Sequence, residues 1–225
     1  MRAFPVVAVF LTALTAFCAF LPERSGTLAF WAFACGPTIV LAGVGAGWAL
    51  REDLLREWLR PAWGDATRGV LGAIGLYGAG WAFVHTVTPV GSPREIWLVT
   101  LYGQIGDPRT LQANATLVAV VIVCATLAEE VVWRGVVTQL LAERVGSRTA
   151  WIWAAALYAA AFAPTMLALR ASAGLNPILC IAALGGALVW GGLARASGTL
   201  VSSVVAHALF DWAVLMMARY WGRAG

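Results

Sequence analysis

NATLVAVVIVCATLAEEVVWRGVVTQLLA, residues 114–142, is the stretch on which the reading of this chain turns. From 115 to 128 no side chain is charged; Glu129, Glu130 and Arg134 then fall within six residues, and apolar residues resume at once. A run this long and apolar is suited to cross a bilayer, for which a helix needs roughly 20 residues. Lipid offers backbone groups no partners, so helices are the only form available to runs too long for barrel strands. Three charges at that depth require either partners or a task.

The pattern recurs on both sides. Apolar spans at about 3–21, 27–50, 69–89, 149–169, 175–195 and 199–218 join 114–142 to make about seven. The expected fold class is all-α, a polytopic transmembrane helix bundle forming a single integral membrane domain over 1–225. Composition points the same way. Of 225 residues 61% are hydrophobic and 12% charged, against about 25% charged in a soluble domain, and the mean hydropathy is +0.81. The first run reads as a retained helix rather than a signal peptide, being long for one and lacking a small-x-small cleavage site. Residues 51–68, of mixed charge with Leu and Trp at helical spacing, are expected to lie along the interface. Residues 90–110 read as an amphipathic, partly re-entrant loop.

The net charge of +4 does not indicate nucleic acid. All 15 basic residues are arginines, mostly single or in small groups at run ends, where they anchor helices. No contiguous basic patch with interleaved aromatics occurs, which excludes a nucleic-acid partner. Eight arginines fall on the side of the N-terminus and six on the other, favouring a cytoplasmic N-terminus. Cys18, Cys35, Cys124 and Cys180 lie far apart inside apolar runs, without a CxxC pair, and read as small hydrophobes.

Once helix-end charges are set aside, the ionisable groups within spans are His85, Glu129, Glu130, Arg134, His207 and Asp211. Glu130 and Arg134 are i and i+4, on one helix face with the acid first. Glu129 points about 100° away from Glu130. His207 and Asp211 are also i and i+4. Two helices, each with a polar pair, can meet in a watered pocket where a free carboxylate takes a proton from water and an imidazole meets an oxyanion. Each feature has a plainer reading. Glu130–Arg134 alone is a structural ion pair, His207–Asp211 a hydrogen bond between helices, and His85 an interfacial residue. Glu129 resists such a reading, having no cation at helical spacing on its own face. Glu129, Glu130, His207 and Asp211 are competent metal ligands, but zinc sites usually take more histidine or cysteine, so no metal or cofactor is expected. A proton-coupled transporter would fit intramembrane carboxylates and histidines, but the chain lacks paired repeats and discontinuous short helices.

The residues also resemble a known family. EEVVWR (129–134) fits the EExxxR motif of the CPBP family of intramembrane proteases, which includes CAAX prenyl endopeptidases and bacteriocin-processing enzymes. HALFD (207–211) resembles its last motif, HxxxN or HxxxD. The similarity covers about 112–217. It implies a glutamate-type endopeptidase acting on a membrane-associated protein or peptide in the bilayer. The substrate would be a prenyl-protein, a bacteriocin-like precursor or a C-terminal sorting signal, and the setting a bacterial inner membrane. By this resemblance Glu129 activates water, Glu130 and Arg134 hold the polar network, and His207 and Asp211 polarise the scissile carbonyl. The family's middle motif, FxxxH, is not matched. In LYAAAFAPTM (157–166) Tyr158 takes the place of its Phe and Phe162 that of its His, with Pro164 in register. Such a chain is either a divergent enzyme, with His85 as a possible accessory residue from another helix, or a relative whose activity is lost. The latter would serve as a membrane-binding, chaperone or immunity protein.

Overall fold

A computed structural model of the chain describes residues 1–217, 219 and 220. Its helices run, in order, α1 (Phe4–Ala19), α2 (Leu28–Arg51), α3 (Leu54–Trp58), α4 (Asp65–Val87), α5 (Glu95–Ile105), α6 (Pro108–Ala113), α7 (Ala115–Glu130), α8 (Thr138–Val145), α9 (Ala150–Ala161), α10 (Thr165–Ala168), α11 (Ile178–Ser197) and α12 (Val201–Trp212). Between α7 and α8 the chain winds as a π-helix over Val131–Val137, and after α12 it does so again over Ala213–Met217. Among the described residues, five stretches are long and apolar enough to cross a membrane, the longest Ala115–Val145, and the apolar helices Phe4–Ala19 and Val201–Met217 are shorter. The chain is an integral, multi-pass membrane protein, and the expected helical bundle is what it forms.

Local sequence explains the boundaries. The Thr27 hydroxyl accepts from the Phe30 N–H and caps α2. Asp107 caps α6 in the same way, through the Arg109 N–H, with Pro108 in the first turn. Gly198, at φ +73°, ends α11 in the left-handed conformation that glycine adopts without penalty. Beyond α9 the chain turns through Phe162–Pro164 before α10, so the expected span at 149–169 is broken near its end.

One interhelical region of sequence differs from expectation. The loop at 90–110 is largely helical: α5 buries Leu98, Leu101, Tyr102 and Ile105 in an apolar cluster with Phe20, Phe30 and Val84. Residues 51–68 run from the end of α2 to the first turn of α4, and the short α3 between them is tied inward. The Leu200 N–H donates to the Trp58 carbonyl at 2.8 Å, and the Trp58 ring covers Gly135, where a Cβ would lie 2.6 Å from it.

The second apolar cluster, around Val132, Trp133, Val136, Val137, Ala155, Tyr158 and Trp190, surrounds the charged segment. Helix α12 packs along α4 and also touches α7 and α11. Its approach to α4 depends on glycine. A Cβ at Gly69 would stand 2.6 Å and 2.7 Å from the Val205 side chain and 2.9 Å from the Ser202 carbonyl. Gly69→Val is therefore expected to push α4 from α12 and cost about 1–3 kcal/mol, read as a lower thermal unfolding midpoint in detergent. An unchanged midpoint would show that the contact is slack.

Candidate active site

The charged segment meets its partners where α7, α9, α11 and α12 converge. Glu130 is fully buried. Its Oε1 lies 3.3 Å from the Arg134 guanidinium and accepts from His207 Nδ1–H at 2.9 Å. The other ring nitrogen of His207, Nε2, faces Asp211 Oδ2 at 3.6 Å. One row of polar groups therefore runs Arg134, Glu130, His207, Asp211, joining the helices of both motif-like pairs.

Aromatic faces hold this row in place. The Trp190 ring stacks on the His207 imidazole, with centroids 3.5 Å apart and planes inclined by 17°. The Arg134 guanidinium carbon stands 4.9 Å from the Tyr158 ring centre and 5.1 Å from that of Trp190. A planar, weakly hydrated guanidinium suits such a slot, where ring quadrupoles supply part of the solvation that burial removes.

Glu129 is placed differently. It is only half-buried, and its Oε2 accepts a hydrogen bond from the Tyr158 hydroxyl. It faces a cavity of about 410 Å³ whose polar wall carries Glu129, Tyr158, His207 and Asp211, while Phe20, Phe30, Leu98, Leu101 and Ile105 line its apolar part. A second cavity of about 170 Å³ also has Glu129 and Asp211 in its wall. Adjacent carboxylates thus differ: Glu130 is engaged by two partners of its own motif helices, and Glu129 opens onto space a ligand can occupy.

The π-helical turn explains part of this. It begins directly after Glu130, and the Thr138 hydroxyl donates to the Trp133 carbonyl at 2.8 Å, satisfying an acceptor within the widened turn. The second π-segment begins two residues after Asp211. Such turns occur frequently at functional sites.

Five of the sequence-derived site residues, Glu129, Glu130, Arg134, His207 and Asp211, lie together. His85 does not join them. It is exposed on α4, its Nδ1 is 2.8 Å from the Trp81 carbonyl and its ring lies on Trp81, with centroids 4.0 Å apart. It lines neither cavity. Its side chain points outward from α4. Phe162 does stand where the motif would place a histidine. It lines both cavities with Glu129 and packs against Tyr158, ring centroids 5.0 Å apart. Sequence reasoning gave no role to Tyr158 or Trp190. A lone tyrosine hydroxyl in the alanine-rich AWIWAAALYAAA was the one available signal for the former.

Comparison with known proteins bears on the same region. Residues 111–213 match the family model described as Type II CAAX prenyl endopeptidase Rce1-like. Over these residues the chain is similar to that family of endopeptidases. The match covers α7 through α12, the part of the chain that carries every polar group of the row. Helices α1 to α5 lie outside the matched residues. No curated protein and no solved structure matches the chain.

Proposed function

We propose that the protein is a glutamate-type intramembrane endopeptidase in which Glu129 activates the hydrolytic water. The observation that carries this reading is the division of labour between neighbouring carboxylates, Glu130 held by Arg134 and His207, Glu129 open to the cavities. Glu129 takes a proton from water as the water oxygen bonds to the scissile carbonyl carbon. His207, with Nδ1–H donating to Glu130, presents Nε2–H to the developing oxyanion. Asp211, beside Nε2, fixes the ring and balances its charge. The proton held by Glu129 passes to the leaving amine as the C–N bond breaks, so one water is consumed and a carboxylate and an amine are released.

The substrate is a membrane-associated protein or peptide: a prenyl-protein, a bacteriocin-like precursor or a protein with a C-terminal sorting signal. The apolar wall of the larger cavity suits an apolar side chain or lipid group next to the scissile bond. The setting is a bacterial inner membrane. The test is to incubate the protein in nanodiscs with a panel of farnesylated C-terminal peptides and unlipidated precursor peptides and to identify products by mass spectrometry. Cleavage by the native protein and none by Glu129→Ala or His207→Ala supports the reading; full activity in purified Glu129→Ala would sink it.

Tyr158 enters this scheme as a positioning residue. Tyr158→Phe removes only the hydroxyl that holds Glu129, a hydrogen bond to a charged group worth about 1.5–3 kcal/mol. The expected loss in kcat is about 10- to 100-fold at nearly constant KM. Unchanged kcat would remove Tyr158 from the scheme.

Phe162 favours a second reading, a relative that binds a membrane protein or peptide without cleaving it. A phenyl ring neither hydrogen-bonds water nor exchanges protons. Biological function that survives alanine at both Glu129 and His207 would select that reading, and proteolysis gained in Phe162→His would show decayed catalytic machinery.

A further inference from the structure

The larger cavity runs from Glu129 and His207 to a tyrosine that the catalytic scheme does not use. Beyond the second π-helical segment, Tyr220 returns to the bundle and stands in the cavity wall with Gly80, Phe83 and Tyr102. Its ring stacks on that of Tyr77, centroids 5.2 Å apart and planes inclined by 25°. Its hydroxyl donates to the Tyr77 carbonyl at 3.0 Å. Glycine at 80 makes room for this, since a Cβ there would collide with the Tyr220 hydroxyl. On the α5 side, the Tyr220 N–H donates to the Tyr102 hydroxyl at 3.2 Å, which in turn donates to the Val214 carbonyl at 3.0 Å. The Arg219 guanidinium carbon lies 4.5 Å from the centre of the Tyr102 ring. Tyr220 thus ties α4 to α5.

Helix geometry gives its distance from the polar row. A Cβ at Gly72 would stand 3.5 Å from the side chain of Ala206, the neighbour of His207. Gly80 follows eight positions later on the same helix (72 to 80), which at a rise of about 1.5 Å per residue is about 12 Å. Leu76, Ala79, Gly80 and Phe83 form the α4 wall over this length, and all are apolar. At its end the Tyr220 and Tyr102 hydroxyls are both spent on backbone carbonyls, so the rings offer an occupant carbon rather than a free donor.

We propose that Tyr220 determines the length of the apolar group that the larger cavity accepts. The occupant is an extended hydrocarbon chain carried by the peptide, running from the His207 end to the Tyr220 ring. A chain fits better than a compact side chain, because the apolar wall continues about 12 Å past the polar row, further than leucine or phenylalanine extends. The chain's place beside a scissile bond rests on the proposed endopeptidase activity; the stop at Tyr220 does not.

Peptides carrying an octyl, dodecyl or hexadecyl thioether with a terminal diazirine test this. Photolysis in nanodiscs, read by mass spectrometry, reports where each chain ends and needs no cleavage. Comparing variant with native protein for one peptide cancels its partition into the bilayer. In the native protein the dodecyl end is expected to label Tyr220 or Tyr102. Hexadecyl labelling of the cavity is expected to rise about 10-fold in Tyr220→Ala, the equivalent of burying about two further methylenes, while octyl labelling stays level. Gly80→Ala, which forces the Tyr220 hydroxyl off the Tyr77 carbonyl, is expected to widen the range in the same way. Equal hexadecyl labelling in native protein and both variants would overturn the stop, as would no labelling of Tyr220 or Tyr102 by any chain. A uniform change at every chain length would assign Tyr220 to packing and overturn it too. If labelling behaves as expected and no peptide is cleaved, the endopeptidase reading fails while the stop stands. Cleavage indifferent to chain length in all three proteins would do the reverse.

Discussion

Glu129→Gln is expected to abolish peptide cleavage, with kcat falling by at least about 10²-fold, the lower end of what a positioned base contributes. The amide keeps the size of the side chain and can still accept from the Tyr158 hydroxyl, so packing around the cavities is preserved. What it loses is the ability to take a proton from water. The neighbouring carboxylate cannot substitute, because Glu130 is fully buried and its Oε1 is engaged by Arg134 and His207. The measurement is product formation by purified, folded variant, with native-like elution on size-exclusion chromatography as the control. Retained turnover in Glu129→Gln would remove the general-base role.

Arg134→Leu carries the largest expected effect on stability. Glu130 would keep its hydrogen bond from His207 but lose the guanidinium 3.3 Å away, in a place where its side chain is wholly hidden. Breaking a buried ion pair from one side costs about 3–5 kcal/mol, because a charge is left uncompensated. Thermal unfolding in detergent and accumulation in membranes should both fall sharply. Glu130→Gln/Arg134→Leu, which removes both charges, should recover part of the loss. Arg134→Lys should recover less than its charge suggests, since an ammonium cannot lie flat between the Tyr158 and Trp190 rings. Native stability in Arg134→Leu would show that the pair is incidental.

Much of the fold was legible because lipid imposes a simple rule. Hydropathy and run length mark the spans, and helix is the only form open to them, so the runs appear as helices near their expected limits, apart from the break in 149–169 and within the described residues of 199–218. The pairing of Glu130 with Arg134 followed from helical spacing. Contacts between helices did not. Tyr158 and Glu129 lie 29 residues apart on different helices, and nothing in the alanine-rich run around Tyr158 points to that carboxylate. His85 shows the complementary failure: its place in an apolar run does not say in which direction its side chain faces. Helices α5 and α6 were missed because they are too short for a span, and their apolar residues find cover only in the assembled bundle.

VVWRGVV offers no local hint that it winds more widely than its flanks, yet it sets how one long span serves different neighbours. Helix α7, before it, packs on α2 and α12, whereas α8, after it, packs on α9. A regular α-helix advances 100° with every residue, so its facing contacts would follow one fixed stripe from end to end. The slower rotation over Val131–Val137 resets the phase between the two halves. The carboxylates are read in one phase and the apolar seam beyond them in another. Deleting a single residue such as Val132 would leave composition, hydropathy and charge almost unchanged and put those halves out of step.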